Sequence, residues 1–114
     1  MERDAILERV EGLEEIVADD PDDVAARFML GTELAKIDEH ARAEVQFREV
    51  IARDPDYTAG WRGLGKALGA QGRVEEAVEV LTKGLEVAAR TGDLQSGREM
   101  EVYLRRYSQA DRSS

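Results

Sequence analysis

Apolar residues recur along this chain at three- and four-residue spacing, the stripe of an amphipathic helix and not the alternation of a strand. Ile6, Val10, Leu13, Ile16 and Val17 lie on one side of a segment expected to be helical over residues 4–18. Phe28, Leu30, Leu34 and Ile37 form a second stripe, and Ala43, Phe47, Val50 and Ile51 a third. Asp38-Glu39 and Gly72-Arg73 interrupt the pattern, and connections that short force the flanking helices to lie antiparallel. The unit expected is a pair of antiparallel helices.

The pair recurs. Asp20-Pro21-Asp22 returns as Asp54-Pro55-Asp56, and the same 34-residue shift superposes Leu30-Gly31 on Leu64-Gly65, Leu34 on Leu68, Ala43 on Ala77, Phe47 on Leu81 and Ile51 on Leu85 without a gap. Gly31 and Gly65, with Ala43 and Ala77, remove bulk where two helix axes approach, which offsets the ~1 kcal/mol cost of a helical glycine. Pro21 and Pro55 fall between one helix and the next, where a fixed φ and a missing N–H do least harm. Arg27-x-x-Leu30-Gly31-x-x-Leu34 with Ala43-x-x-x-Phe47 and Pro55, then Trp61-x-x-Leu64-Gly65-x-x-Leu68 with Ala77-x-x-x-Leu81, resemble the tetratricopeptide repeat pattern W-x-x-L-G-x-x-Y, A-x-x-x-F, P. The second copy is the closer of the two.

The resemblance implies an all-α, right-handed superhelical stack of antiparallel helix pairs, about six helices in a single domain over residues 1–114. Its parts would be an N-terminal half-repeat over 4–18, repeats over 24–57 and 58–91, and a capping helix over 93–108. Ala89 stands where a third proline is expected, so the helix from Arg73 should run on to about Arg90 before Gly92 ends it. Asp93 is the expected N-cap of the last helix, with Leu94, Met100, Tyr103, Leu104 and Tyr107 facing inward and Gln109 to Ser114 frayed.

Composition narrows the function classes. At 42% hydrophobic and 36% charged, and with no apolar run near the roughly 20 residues that span a bilayer, the chain is expected to be soluble and not to partner a membrane. Met1 to Val10 carries Glu2, Arg3, Asp4, Glu8 and Arg9 and has no secretory leader pattern, so a cytoplasmic location is the default expectation. The formal charge of −9 is concentrated at one end: residues 1–23 hold ten acids against Arg3 and Arg9. An acidic surface repels phosphate backbones, which argues against nucleic acid as a partner. The acidic end itself reads either as a solubility device or as a docking patch for a basic partner.

Catalytic and cofactor motifs do not hold together. Gly60-Trp61-Arg62-Gly63-Leu64-Gly65-Lys66-Ala67 comes one residue short of a phosphate-binding loop, but Ala67 replaces the magnesium-binding hydroxyl and no strand precedes it. His40 is the only histidine and there is no cysteine, so a transition-metal site lacks ligands and His40 is read as solvated. Ser96, Ser108, Ser113 and Ser114 lie far in sequence from His40, with no nucleophile-elbow pattern around them. Glu14-Glu15 and Glu75-Glu76 read as hydrated helix faces. The expectation is a non-enzymatic protein with no metal and no cofactor.

Family resemblance places the ligand instead on the concave face lined by the first helix of each repeat. Carried over position by position, the groove residues are Ala25, Phe28, Thr32 and Ala35 in the first repeat and Ala59, Arg62, Lys66 and Gly69 in the second. Arg62 and Lys66 share a helix face and suit a partner's carboxylate, or form a solvated pair of cations. The family's carboxylate clamp needs asparagines and the chain has none, so a complete clamp is ruled out. Small residues at Ala25, Ala35, Ala59, Gly69 and Ala70 leave room for a helix or an extended peptide, and Phe28 is either an apolar anchor or core. The implied function is that of a stand-alone protein-protein interaction module, similar to small bacterial tetratricopeptide proteins, holding a peptide or protein as a monomer or weak homo-oligomer. The alternative is self-association through a stack end, or through the acidic first helix against Arg98, Arg105, Arg106 and Arg112.

Overall fold

The breaks expected at Asp38-Glu39 and Gly72-Arg73 are tight turns built by one backbone device. Asp38 and Gly72 occupy the same place in successive repeats, and both have left-handed φ, 61° and 77°. Glu39 N–H then donates to Leu34 O and Arg73 N–H to Leu68 O, each at 3.0 Å, closing off the helix end in the Schellman manner. In the computed structural model, which describes the backbone of residues 1–113 and the side chains of residues 1–110, these turns separate six helices: α1 Glu2–Asp19, α2 Val24–Lys36, α3 His40–Arg53, α4 Thr58–Ala70, α5 Val74–Thr91 and α6 Leu94–Ser113.

The proline turns are equally repetitive. Asp22 N–H donates to Asp20 Oδ1 at 3.2 Å, and Asp56 N–H to Asp54 Oδ1 at 3.1 Å. The carbonyl freed at each proline is claimed from the next helix, by Arg27 Nε on Pro21 at 2.6 Å and by Trp61 Nε1 on Pro55 at 2.8 Å. An arginine thus fills the first repeat's tryptophan position and makes the same bond. The helix starts differ. Asp23 caps α2 by accepting from Ala26 N–H at 2.9 Å, whereas Tyr57 makes no side-chain cap and sets its ring 5.3 Å from that of Phe28.

Each helix packs on the next, and α4 also touches α2 and α6, which gives the all-α stack of antiparallel pairs, a tetratricopeptide-like solenoid. Leu34, Val50, Leu64, Leu68, Leu81 and Met100 are fully buried. Phe47 is the joint between the repeats. An added Cβ at Gly31 would lie 2.8 Å from the Phe47 ring and one at Gly63 2.6 Å from it, so the ring sits between the first helices of both repeats only because neither carries a side chain there. The near phosphate-loop sequence lies wholly inside α4, where its backbone N–H groups are spent on helix bonds.

Three terminal expectations are corrected. Ile16 is 47% exposed, because Ile6, Val10, Leu13 and Val17 form the stripe on α2 and Ile16 sits one residue, about 100°, off it. Leu94 is 69% exposed: it opens α6 at the outer end of the stack, beside Ala88 and Ala89, with nothing packed over it. Residues 109–113, expected to fray, continue α6; Ser114 lies outside the described residues. Asp93 does cap α6, accepting from Ser96 N–H at 3.1 Å.

Candidate functional site

A groove of about 460 Å³ opens between α2, α4 and α6. The volume lies in the range of ligand-binding clefts. From α2 come Phe28, Thr32, Ala35 and Lys36; from α4, Arg62, Gly63, Lys66, Ala67 and Ala70; from α6, Tyr103 and Tyr107; and from α3, His40 and the edge of Phe47. Spacings of three and four on α2 and α4 put those side chains on one face of each helix.

Of the groove residues expected from the sequence, Phe28, Thr32, Ala35, Arg62 and Lys66 meet in this groove, and Ala25, Ala59 and Gly69 are not among its lining. Ala25 is exposed near the start of α2. Ala59 lines a separate shallow hollow with Asp56, Thr58, Thr91 and Asp93. Gly69 lies beneath Tyr107, where an added Cβ would come 2.2 Å from the ring, so α6 closes this part of the concave face. Phe28 is half-buried, packs 5.8 Å from the Phe47 ring and still faces the groove.

Both sequence cations are already engaged. Arg62 Nη1 lies 3.0 Å from Glu99 Oε2 and donates weakly to Ser96 Oγ at 3.5 Å, both on α6. Lys66 Nζ stands 5.2 Å from the Tyr103 ring centroid, a cation–π distance. Thr32 spends its hydroxyl proton on Phe28 O at 2.9 Å. His40, expected to be solvated, is half-buried on the groove wall with Nε2 3.4 Å from Asp38 Oδ1. Burial raises the Tyr107 phenol above its ordinary value, with Tyr103 adding to the effect. The α6 wall has one signal in the sequence, the tyrosine pair Tyr103 and Tyr107 four residues apart, expected to face inward.

Among the described residues, no set of three or more His, Cys, Asp or Glu is placed to hold a metal ion, and no helix is long and apolar enough to cross a membrane. The arrangement offers an apolar floor, aromatic walls and a cationic rim.

The tetratricopeptide repeat family model matches residues 28–93, more than half the chain. This chain is a tetratricopeptide repeat protein. A TPR repeat-containing protein of Pseudomonas aeruginosa is 38% identical over 101 residues, covering 89% of this chain and 96% of the relative. Among solved structures, the Bordetella parapertussis protein BPP2914 is 34% identical with a TM-score of 0.78 over 90% of this chain and 89% of its own. The TPR2B domain of yeast Sti1, solved as a pHsp70 complex, shares the fold at a TM-score of 0.84 with 22% identity, over 89% of this chain and 81% of that one. The tetratricopeptide fold is a protein-protein interaction module, and in this repeat protein the groove combines α2 and α4, the first helices of the two matched repeats, with a wall from α6.

Proposed function

We propose that this chain is a non-enzymatic scaffold that holds a peptide or protein segment in the groove between α2, α4 and α6. The observation that carries the reading is the half-buried Phe28 face: an aromatic left open beside Ala35, Gly63 and Ala67 in a concavity the fold itself does not fill. Apolar grooves edged by a few polar groups are where extended or helical segments dock. The TPR2B domain of Sti1 is titled as a complex with pHsp70, and the likeness supports the same use of the fold here.

The test is a selection of displayed random peptides on immobilised protein, repeated with Ala70→Trp, which adds bulk at an exposed lining position without touching the core. The reading expects an enriched peptide that the wild type retains and the filled variant loses. Equal retention by both would move the site off the groove.

A second reading, self-association, is favoured by the apolar residues left open at the stack ends, Leu7 and Ile16 on α1, Leu94 and Val102 on α6. Arg98, Arg105 and Arg106 of α6 are exposed, and Arg112 lies outside the described side chains. Light scattering across concentration and salt separates the two: a monomer throughout removes self-assembly.

A further inference from the structure

The two ends of the stack are open in complementary ways. α6 holds the place of a repeat's first helix: Leu64 and Met100, each the seventh residue of its helix, are both fully buried. In α2 and α4 the eighth residue is Gly31 or Gly65, packed against Phe47 of α3 or Leu81 of α5. In α6 the eighth is Glu101, and among the described residues no helix follows to meet it. What stands there is a cleft of about 310 Å³, lined by Leu85 and Ala88 of α5 and by Leu94, Gly97, Arg98 and Glu101 of α6.

α1 is the converse, a second helix without its first. The 34-residue register carries Val50 and Gly84 back to Ile16, and Gln46 back to Gly12. Val50 and Gly84 are buried, and a Cβ added at Gly84 would meet both Trp61 of its own repeat's first helix and Met100 of the next. Gln46 accepts from Arg27 of its own first helix. On α1 the same positions face open space: Ile16 is 47% exposed, and nothing lies within 4 Å of a Cβ added at Gly12. Charge divides the same way. α1 carries seven acidic against two basic side chains, whereas Arg98 and Arg105 of α6 are exposed and in no ion pair among the described residues. Where the inner repeats have the small pairs Gly31 with Ala43 and Gly65 with Ala77, the open ends present Glu101 and Arg9, of opposite charge.

We infer that the cleft between α5 and α6 receives α1 of a second copy, so that the end of one stack and the start of the next complete a repeat between them. Inside the stack, Arg53 pairs with Asp22 at 3.0 Å and Arg90 with Asp56 at 2.6 Å, which sets the end of each second helix beside the start of its first. The same orientation brings Ile16 to Leu94 and the acidic flank of α1 along Arg98 and Arg105. The contact is heterologous, and such contacts extend into open chains instead of closing at two copies. Charged side chains in place of glycine and alanine hold the helices further apart than inside the stack, and the attraction between the ends is screened by salt. The inference deepens the self-association reading and leaves the concave groove of every copy free.

Sedimentation velocity of the full chain, over a concentration series at low and high salt, tests this with Ile16→Asp and Leu94→Asp, variants at exposed positions whose folding circular dichroism checks. The wild type should grow past two copies as concentration rises, and high salt should weaken it. Each variant should weaken association by about tenfold or more, because it buries a carboxylate in an apolar contact; Arg98→Glu, a second cleft variant, should weaken it at low salt. An equimolar mixture of Ile16→Asp and Leu94→Asp should recover pairs and nothing longer, since the first keeps an intact cleft and the second an intact α1. A monomer at every concentration would overturn the inference together with self-association. Association that stops at two copies, or that survives in both aspartate variants, would overturn the end-to-end contact and leave self-association standing. Loss of association in Ala70→Trp would move the contact into the groove and overturn the end-to-end contact as well.

Discussion

Phe47 offers the sharpest test of how the repeats are joined. Adding a methyl at Gly63 would place it 2.6 to 2.8 Å from Cε1, Cζ and Cδ1 of the Phe47 ring, well inside van der Waals contact, and the ring is confined on its other side by Gly31. Replacing a helical glycine by alanine gains about 1 kcal/mol of helix propensity in an open position. Overpacking a close-packed core costs about 1–3 kcal/mol. The Gly63→Ala variant should therefore be destabilised by up to about 2 kcal/mol, the propensity gain being more than cancelled by the clash. Phe47→Leu, the residue that the second repeat uses at this register as Leu81, removes the ring atoms beyond the δ position. In that background Gly63→Ala should regain its propensity and become neutral or stabilising, a coupling of about 1–2 kcal/mol between the two sites. Urea unfolding followed by far-UV circular dichroism and by Trp61 fluorescence measures all four corners. If Gly63→Ala stabilises the wild type and the cycle shows no coupling, Phe47 is not wedged between α2 and α4 and the packing argument fails.

Other consequences follow from single turns and charges. Asp38→Gly should raise stability by about 1 kcal/mol by removing a Cβ from a left-handed backbone, and Gly72→Ala at the equivalent turn should lower it by a similar amount; thermal melts of the pair that moved in the same direction would contradict this. Trp61→Phe keeps an aromatic side chain but deletes the bond to Pro55 O, and should cost about 1 kcal/mol or somewhat more in the same assay. Burial alone would raise the Glu44 carboxyl, but hydrogen bonds from Gln71, Arg48 and Arg73 outweigh it and hold the group below the ordinary carboxylate value. A carboxyl more acidic in the folded than in the unfolded state stabilises above the unfolded pKa, and that stability disappears as pH falls through the folded value. Glu44→Gln should accordingly be less stable than wild type at neutral pH and converge with it in acid, and a stability gap unchanged with pH would refute the assignment.

The fold was legible because its determinants are local. Helix stripes, the turns at Asp38 and Gly72 and the 34-residue register all lie within short stretches of chain, and the family pattern repeats them. The groove was legible only on α2 and α4, where the repeat register carries Phe28, Thr32, Ala35, Arg62 and Lys66 to one side. Its third wall depends on where α6 lands, and the 34-residue register fails there. With Ala89 in place of a proline, α5 runs to Thr91 and α6 begins at Leu94, later than the repeat spacing from Thr58 would place it. That slip brings Tyr107 over Gly69 and Glu99 to Arg62, contacts between residues far apart in sequence that no local pattern announces. It also explains why Gly69, reserved for an open groove floor, instead seats the closing helix.

The central claim is that the surface between α2, α4 and α6 is where a partner is held. Amide resonances of isotope-labelled protein, titrated with whichever peptide the displayed library enriches, test it most directly. The account predicts shifts centred on Thr32, Ala35, Gly63, Lys66 and Tyr103, with α1 and the outer faces of α3 and α5 unmoved; shifts confined to α1 or to those outer faces would contradict it.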